Sequence, residues 1–252
     1  MECFVAAGRS EIGNGRKLNE DSIELVEAFD GTYGIYILCD GMGGHKRGDL
    51  ASELAVRYAR RSILDKLNPT MEARELRALM YQALSNANQM VYQFAQRSFR
   101  FTGMGTTIVA GLLRDDGLLV YGHAGDSRLH GFTPQIERLT KDHSVAQAFI
   151  DQGLLREEDV ATFPRRNEIT RCIGMGPDMT PTIDVRSLEP GDRLLFCSDG
   201  LHGVCPDAVI QNVMDASQDP QENSEALIQT ALDFHSRDNI SCIVVNFHGN
   251  DA

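Results

Sequence analysis

Two helical stretches, residues 49–67 and 71–99, follow one another directly, with strand-like segments on both sides of the pair. That succession limits the fold more than any other feature. A parallel sheet alternates strand with helix, and this chain does not. The second stretch carries Leu76, Leu79, Met80, Ala83, Leu84, Ala87, Met90, Val91 and Phe94, whose spacing of three and four makes one apolar stripe. Asn68-Pro69 closes the first. Before the pair, residues 3–7, 22–29 and 33–39 read as strands, with Asp30-Gly31 as the turn between the last two. After it come strands at 106–113, 118–124, 128–133 and 137–140, with Asp116-Gly117 as a second hairpin signal. Residues 144–170 are more polar, with short helical pieces at 145–152 and 156–160. Strands resume at 182–185 and 193–197, helical regions cover 206–214 and 224–234, and a strand at 240–247 closes the chain. The expected class is α+β, a four-layer α-β-β-α sandwich: two mostly antiparallel sheets packed face to face, with helices on both outer sides. No repeat, linker or low-complexity stretch divides the sequence, so residues 1–252 read as one domain.

Composition removes several kinds of partner. A net charge of -12 argues against nucleic acid, where binding is driven by Lys and Arg neutralising phosphates. The acid excess favours solubility, and bound divalent metals would cancel part of it. The six cysteines show no C-x-x-C pair, and Cys39, Cys197 and Cys242 sit inside apolar strand-like runs, a pattern suited to a reducing compartment. No signal peptide is apparent and no apolar run approaches 18 residues, so the expectation is a cytoplasmic protein with no membrane partner.

Four acidic signatures carry the chemistry: Arg16-Lys17-Leu18-Asn19-Glu20-Asp21, Asp40-Gly41-Met42-Gly43-Gly44, Ser198-Asp199-Gly200 and Asp238-Asn239. Asp40 and Asp199 each read as ending an apolar strand, while Asp21 and Asp238 each stand just before one. Taken alone, Asp40-Gly41 is explained by a turn into the helix near residue 49. A nucleotide-binding glycine loop is the competing functional reading, but G-x-x-x-x-G-K-[ST] and G-x-G-x-x-G are both absent. Acids gathered at one edge of a sheet pair repel and resist ionisation unless a cation joins them. The ordered set therefore points to a metal site, with the Gly41 carbonyl as a further candidate ligand because glycine lets backbone approach an ion closely. Oxygen donors without a Cys or His cluster suit hard divalent cations.

Further strings strengthen one comparison: Gly103-Met104-Gly105-Thr106-Thr107, Gly125-Asp126-Ser127-Arg128, Leu139-Thr140-Lys141-Asp142-His143-Ser144 and Arg171-Cys172-Ile173-Gly174. With the signatures above, the chain resembles the metal-dependent serine/threonine protein phosphatases of type 2C, the PPM family, in their compact bacterial form. The resemblance runs from Arg16 to Asn246. It implies that Asp40 bridges two Mn²⁺ or Mg²⁺ ions and that the Gly41 carbonyl binds one of them. It implies that Asp199 and Asp238 hold the other ion, and that Glu20 reaches the site through water. Asp126 matches the acid that helps Asp199 bind a third, weaker metal, and Arg16 matches the arginine that grips the substrate phosphate. Two such ions activate a water for in-line attack on phosphorus, so no phosphoenzyme is expected. The implied partners are phosphoserine and phosphothreonine proteins, including a cognate Ser/Thr kinase, met by a monomeric enzyme. Residues 144–170 correspond to the variable flap, where Arg165 and Arg166 read either as aids to substrate entry or as a solvated basic pair. One departure is Met42, where many eukaryotic members carry a His that can protonate the leaving group. His45 is close in sequence, and geometry decides whether it can serve. His123, His143 and His202 read as structural or solvent-facing. Two other functions stay open: a catalytically silent phosphoprotein-binding regulator, which the intact Asp40, Asp199 and Asp238 disfavour, and a hydrolase of small phosphate esters.

Overall fold

The chain opens with three strands, β1 (Phe4–Glu11), β2 (Asp21–Ala28) and β3 (Tyr33–Met42). A computed structural model describes residues 2–42 and 47–249. Two antiparallel helices follow, α1 (Gly48–Leu64) and α2 (Ala73–Ala95). Next come β4 (Gly105–Thr106), β5 (Ile108–Arg114), β6 (Leu118–Ala124), β7 (Arg128–Phe132) and β8 (Ile136–Arg138). Residues 144–170 hold α3 (Val145–Asp151) and a 3-10 helix at Glu157–Thr162. The chain ends with β9 (Thr182–Ser187), β10 (Arg193–Cys197), α4 (Asp199–His202), α5 (Asp207–Ala216), α6 (Pro220–Asp233) and β11 (Ile240–Phe247).

The strands form two sheets of order β1-β11-β10-β7-β8 and β2-β3-β5-β6-β9, with β4 pairing the end of β3. Their pairings are antiparallel, as expected from the missing βαβ alternation. Three apolar layers hold the four structural layers together. Leu38, Val109, Leu119, Phe196, Ile243 and Val245 fill the space between the sheets. Ile35, Ile37 and Ala110 pack against Ala55, Ala59, Met80 and Leu84 of α1 and α2. On the opposite side, Leu195, Cys242 and Val244 meet Leu201, Ile210 and Leu227 of α4, α5 and α6. Cys39, Cys197 and Cys242 are buried without disulfides, as small apolar groups. Among the described residues no helix is long and apolar enough to cross a membrane.

Two expectations need correction where the acids sit. Asp40 does not end its strand: β3 runs on through Met42, because Gly41 and Met42 pair with Thr106 and Gly105 of β4. Asp199 does not end a strand either: β10 stops at Cys197, and Asp199 opens the short helix α4 with Ser198 as its N-cap residue.

Candidate active site

Strand periodicity aims the acids, since side chains two residues apart share a face. In β3, Tyr36 and Leu38 face the opposite sheet while Ile35, Ile37 and Cys39 face the helices. Asp40 therefore points into the layer between the sheets. Asp21 lies directly opposite Asp40 in the β2–β3 ladder and shares the face of Ile23 and Leu25, which pack against that same layer. Thr107 has the parity of Val109, Ser127 that of Leu129, Ser198 that of Phe196, and Ser241 that of Ile243. A layer that is apolar along its length thus turns acidic and hydroxylic at one end.

Hydrogen bonds fix that end. The Asp40 N–H donates to Thr107 Oγ1 at 3.0 Å, and its carbonyl accepts from the Thr107 N–H at 2.9 Å and from Thr106 Oγ1 at 2.8 Å. Thr107 Oγ1 in turn lies 2.6 Å from Ser127 Oγ. The Gly41 N–H donates to the Glu20 carbonyl at 3.0 Å. A Cβ on Gly41 would lie 2.2 Å from the Gly48 carbonyl oxygen and 2.5 Å from that of Glu20, so only glycine lets β3 pass between Glu20 and the first turn of α1. Asp238 accepts from its neighbour's Asn239 N–H at 2.8 Å and from Arg16 Nη2 at 2.7 Å, and Arg16 Nη1 stands 3.6 Å from Glu20 Oε2. Asp126 follows Gly125, whose φ of +117° brings it against Thr107, and the Asp126 carbonyl accepts from His202 Nε2 at 3.0 Å.

Arg16, Glu20, Asp40, Gly41, Asp126, Asp199 and Asp238 all line one cleft of about 320 Å³, so every residue nominated from sequence comes together. Asn167 and Ile169 join them, with Met175 and Met42 on the remaining walls. Gly43, Gly44 and His45 lie outside the described residues. His143 and His123 are not solvent-facing: their rings stack 4.4 Å apart, and His143 Nδ1 accepts from the Gly125 N–H at 3.2 Å.

The carboxylates crowd one another. Burial, followed by the charges of Asp21, Asp199, Asp126 and Asp238, raises Asp40 well above the usual carboxylate range. Burial and then Asp238 push Asp199 up to about 6, and burial and then Asp199 push Asp126 up to about 7. Glu20 is raised by burial against the opposing pull of Arg16. Asp199 Oδ1 is buried with no hydrogen-bond partner. Among the described residues no three carboxylate, imidazole or thiolate groups converge on one point. The acids instead line the walls, with Asp238 held by Arg16. An unbonded buried oxygen, raised pKa values and a wholly oxygen donor set fit a hard divalent cation.

Two residues of the acidic signatures carry parts that the sequence reading did not assign them. Asp21 is buried, both its carboxylate oxygens lack partners, and burial pushes it up to about 7. The neighbouring Ser241 hydroxyl donates instead to Ser10 Oγ at 2.7 Å. The parity of Asp21 with Ile23 and Leu25 was the signal. Asn239 is the other: its Oδ1 accepts from the Glu20 N–H at 2.8 Å, and its Nδ2 donates to the carbonyls of Ile12 at 2.9 Å and Leu18 at 3.0 Å. Nothing local in the sequence marks that role.

Comparison with known proteins agrees with this geometry. The family model described as protein phosphatase 2C matches residues 7–235. A 2C-type protein phosphatase of Streptococcus pyogenes is 34% identical over 248 residues, covering 97% of this chain and 98% of its own. The structure of serine/threonine phosphatase Stp1 from Staphylococcus aureus superposes with a TM-score of 0.90 at 31% identity, covering 97% of this chain and 95% of that one. The catalytic domain of the serine/threonine protein phosphatase PstP, solved with two manganese ions, superposes with a TM-score of 0.82 at 28% identity, covering 97% and 98%. With a model match across most of its length and full-length relatives above 30% identity, this chain belongs to the protein phosphatase 2C family.

Proposed function

We propose that this phosphatase removes phosphate from phosphoserine and phosphothreonine side chains of proteins, using two Mn²⁺ or Mg²⁺ ions held in the acidic cleft. Asp40, Asp199, Asp238 and the Gly41 carbonyl are the ligands, Glu20 acts through water, and Asp126 with Asp199 serves a third, weaker site. The observation that carries this reading is the end of the inter-sheet layer, where buried acids with raised pKa values meet and Asp199 Oδ1 has no protein partner. The manganese pair in the PstP structure supports the choice of ion.

Cations bound there supply an activated water and offset charge on the phosphoryl oxygens. The chain's own groups do the rest. Thr107 and Ser127 hold Asp40 in place. Arg16, at the mouth of the cleft, shares its fork between Asp238 and Glu20 and is placed to exchange them for two phosphate oxygens. Burial, followed by the Asp126 charge, pushes the Cys172 thiol up to about 11, which keeps it protonated at neutral pH. Met42 cannot protonate the leaving alkoxide, which leaves that proton to water in the cleft. Residues 1–252 act as one catalytic domain with 144–170 as its flap, working as a monomer in the cytoplasm against a cognate Ser/Thr kinase.

Hydrolysis of a phosphothreonine peptide with and without Mn²⁺ and EDTA tests the reading. Release should require the metal and fall on the order of 10²–10³-fold in Asp199→Asn, the scale at which loss of one electrostatic contributor costs an active site. No release from folded protein at millimolar Mn²⁺ would leave phosphoprotein binding as the function.

A further inference from the structure

Most described Lys and Arg side chains are engaged by a carboxylate, a carbonyl or a ring. Lys17, Arg166 and Arg237 are not: all three are exposed and have neither an ion pair nor a hydrogen bond. Arg57 and Arg74 share that state, but they stand on α1 and α2, and neither they nor their chain neighbours line the cleft. The first three differ in their placement. Lys17 follows Arg16, Arg166 precedes Asn167, and Arg237 precedes Asp238, and those three neighbours all line the acidic cleft. Gly15 is packed on the backbone of Arg237, where a Cβ would lie 2.4 Å from its carbonyl oxygen, and the Asn14 N–H donates to the Ser236 carbonyl at 3.1 Å. The segments bearing Lys17 and Arg237 are therefore in direct contact.

The carboxylates next along the chain from Arg237 and Arg166 are already committed. Asp238 is taken by Arg16. Glu168 is taken by Arg165, whose Nε and Nη2 donate to it at 2.9 and 2.6 Å, leaving Arg166 beside it without a partner. These unpaired cations stand on three segments that each supply a residue to the cleft. The acids line the cleft, and each of the three unpaired cations stands one residue from a position on its lining. Exposed cations without partners gain most when a ligand brings the opposite charge to them.

We propose that Lys17, Arg166 and Arg237 form a basic rim that selects phosphopeptides carrying further anionic groups, carboxylates or a second phosphate, beside the phosphoresidue. The proposal rests on the phosphatase reading and names its substrate class. The rim acts on encounter and binding, so it sets KM and leaves kcat to the cleft. Its effect weakens as salt screens exposed charges over about 10 Å.

The test uses matched phosphothreonine peptides whose flanking residues are Asp and Glu, a second phosphothreonine, Asn and Gln, or Lys. At low salt kcat/KM should favour anionic over neutral flanks by about 3- to 30-fold, the scale for three exposed charge pairs, with Lys flanks poorest. The Asp/Glu and second-phosphate arms separate the two sources of charge. In Lys17→Gln/Arg166→Gln/Arg237→Gln the preference should shrink to within about twofold. Turnover of a small phosphate ester and the far-UV spectrum show whether that variant is folded. Equal rates on anionic and neutral peptides, or a full preference kept by the triple variant, would overturn the proposal. If neither peptides nor ester are hydrolysed, the phosphatase reading itself fails. Fluorescence anisotropy with the same peptides then decides the rim: tighter binding of anionic flanks supports it, and equal binding overturns it.

Discussion

One buried amide holds the loop that carries Arg16 and Glu20. Asn239 bonds the Glu20 N–H and the carbonyls of Ile12 and Leu18, joining the entrance of β2 to the start of β11. Asn239→Ala leaves those groups without partners, and the expected loss is about 2–4 kcal/mol in urea unfolding. Asn239→Asp keeps an acceptor for Glu20 but aims a carboxylate oxygen at two carbonyl oxygens. Its phosphopeptide KM should rise several-fold while kcat changes less, because Arg16 loses its fixed approach. Reduced stability with an unchanged KM would show that Asn239 only supports the fold. Asp40, Asp199 and Asp238 were legible because each sits beside Gly or Asn near a strand, a pattern confined to a few residues. Asn239 was not, because its partners lie more than 200 positions away in sequence. Asp21 falls between these cases: its parity was readable, but only once the strand was known to begin at Asp21 rather than at residue 22.

Elements were legible where alternation and turn chemistry agree. The strand β6 follows Asp116-Gly117, where Gly117 adopts φ +86° and Asp116 Oδ1 accepts from the Leu118 N–H at 3.1 Å, and its bounds match the expectation. Bounds set by distant pairing were not legible. The extension of β3 past Asp40 depends on β4, and α2 stops at Ala95 so that Phe101 can fold back onto Phe94, with ring centroids 5.2 Å apart. The packing of the two sheets also depends on a glycine that no local rule marks. A Cβ on Gly111 of β5 would lie 2.6 Å from Phe196 Cζ of β10, whose ring is fully buried and centred 5.9 Å from that of Tyr36. Gly111→Ala should therefore cost about 1–3 kcal/mol in chemical denaturation, as overpacking does in a filled core. Phe196→Leu in the same chain should restore part of that loss, giving a coupling in the double-mutant cycle. Simple additivity of the two changes would show that the sheets part without resistance from this ring.

At the scale of the whole molecule, the acid cluster makes stability depend on both pH and metal. Asp21 and Asp126, pushed up to about 7, Asp199 at about 6, and the strongly raised Asp40 keep protons in the fold that the unfolded chain releases near the ordinary value of 3.8. Their contribution to stability is complete below that ordinary value and is lost as pH rises through the folded values. Buried histidines act with the opposite sign. His130 and His143, both lowered to about 3 chiefly by burial, and His202, lowered by the same cause, contribute fully above 6.5 and lose that contribution as pH falls toward 3. Between pH 4 and 6 the two trends oppose each other. From pH 6 to 8 the histidine part is nearly constant and the acids dominate, with the net charge of -12 acting in the same direction. In EDTA the thermal midpoint should therefore fall from pH 6 to pH 8. Added Mn²⁺ should raise it more at pH 8 than at pH 6, because ligand carboxylates must give up their protons to bind. Asp21→Asn, which removes one buried acid, should flatten the EDTA profile. A midpoint that holds level or rises between pH 6 and 8 without metal would mean that the carboxylates are already ionised in the fold. Repulsion among them would then not be what a bound cation relieves.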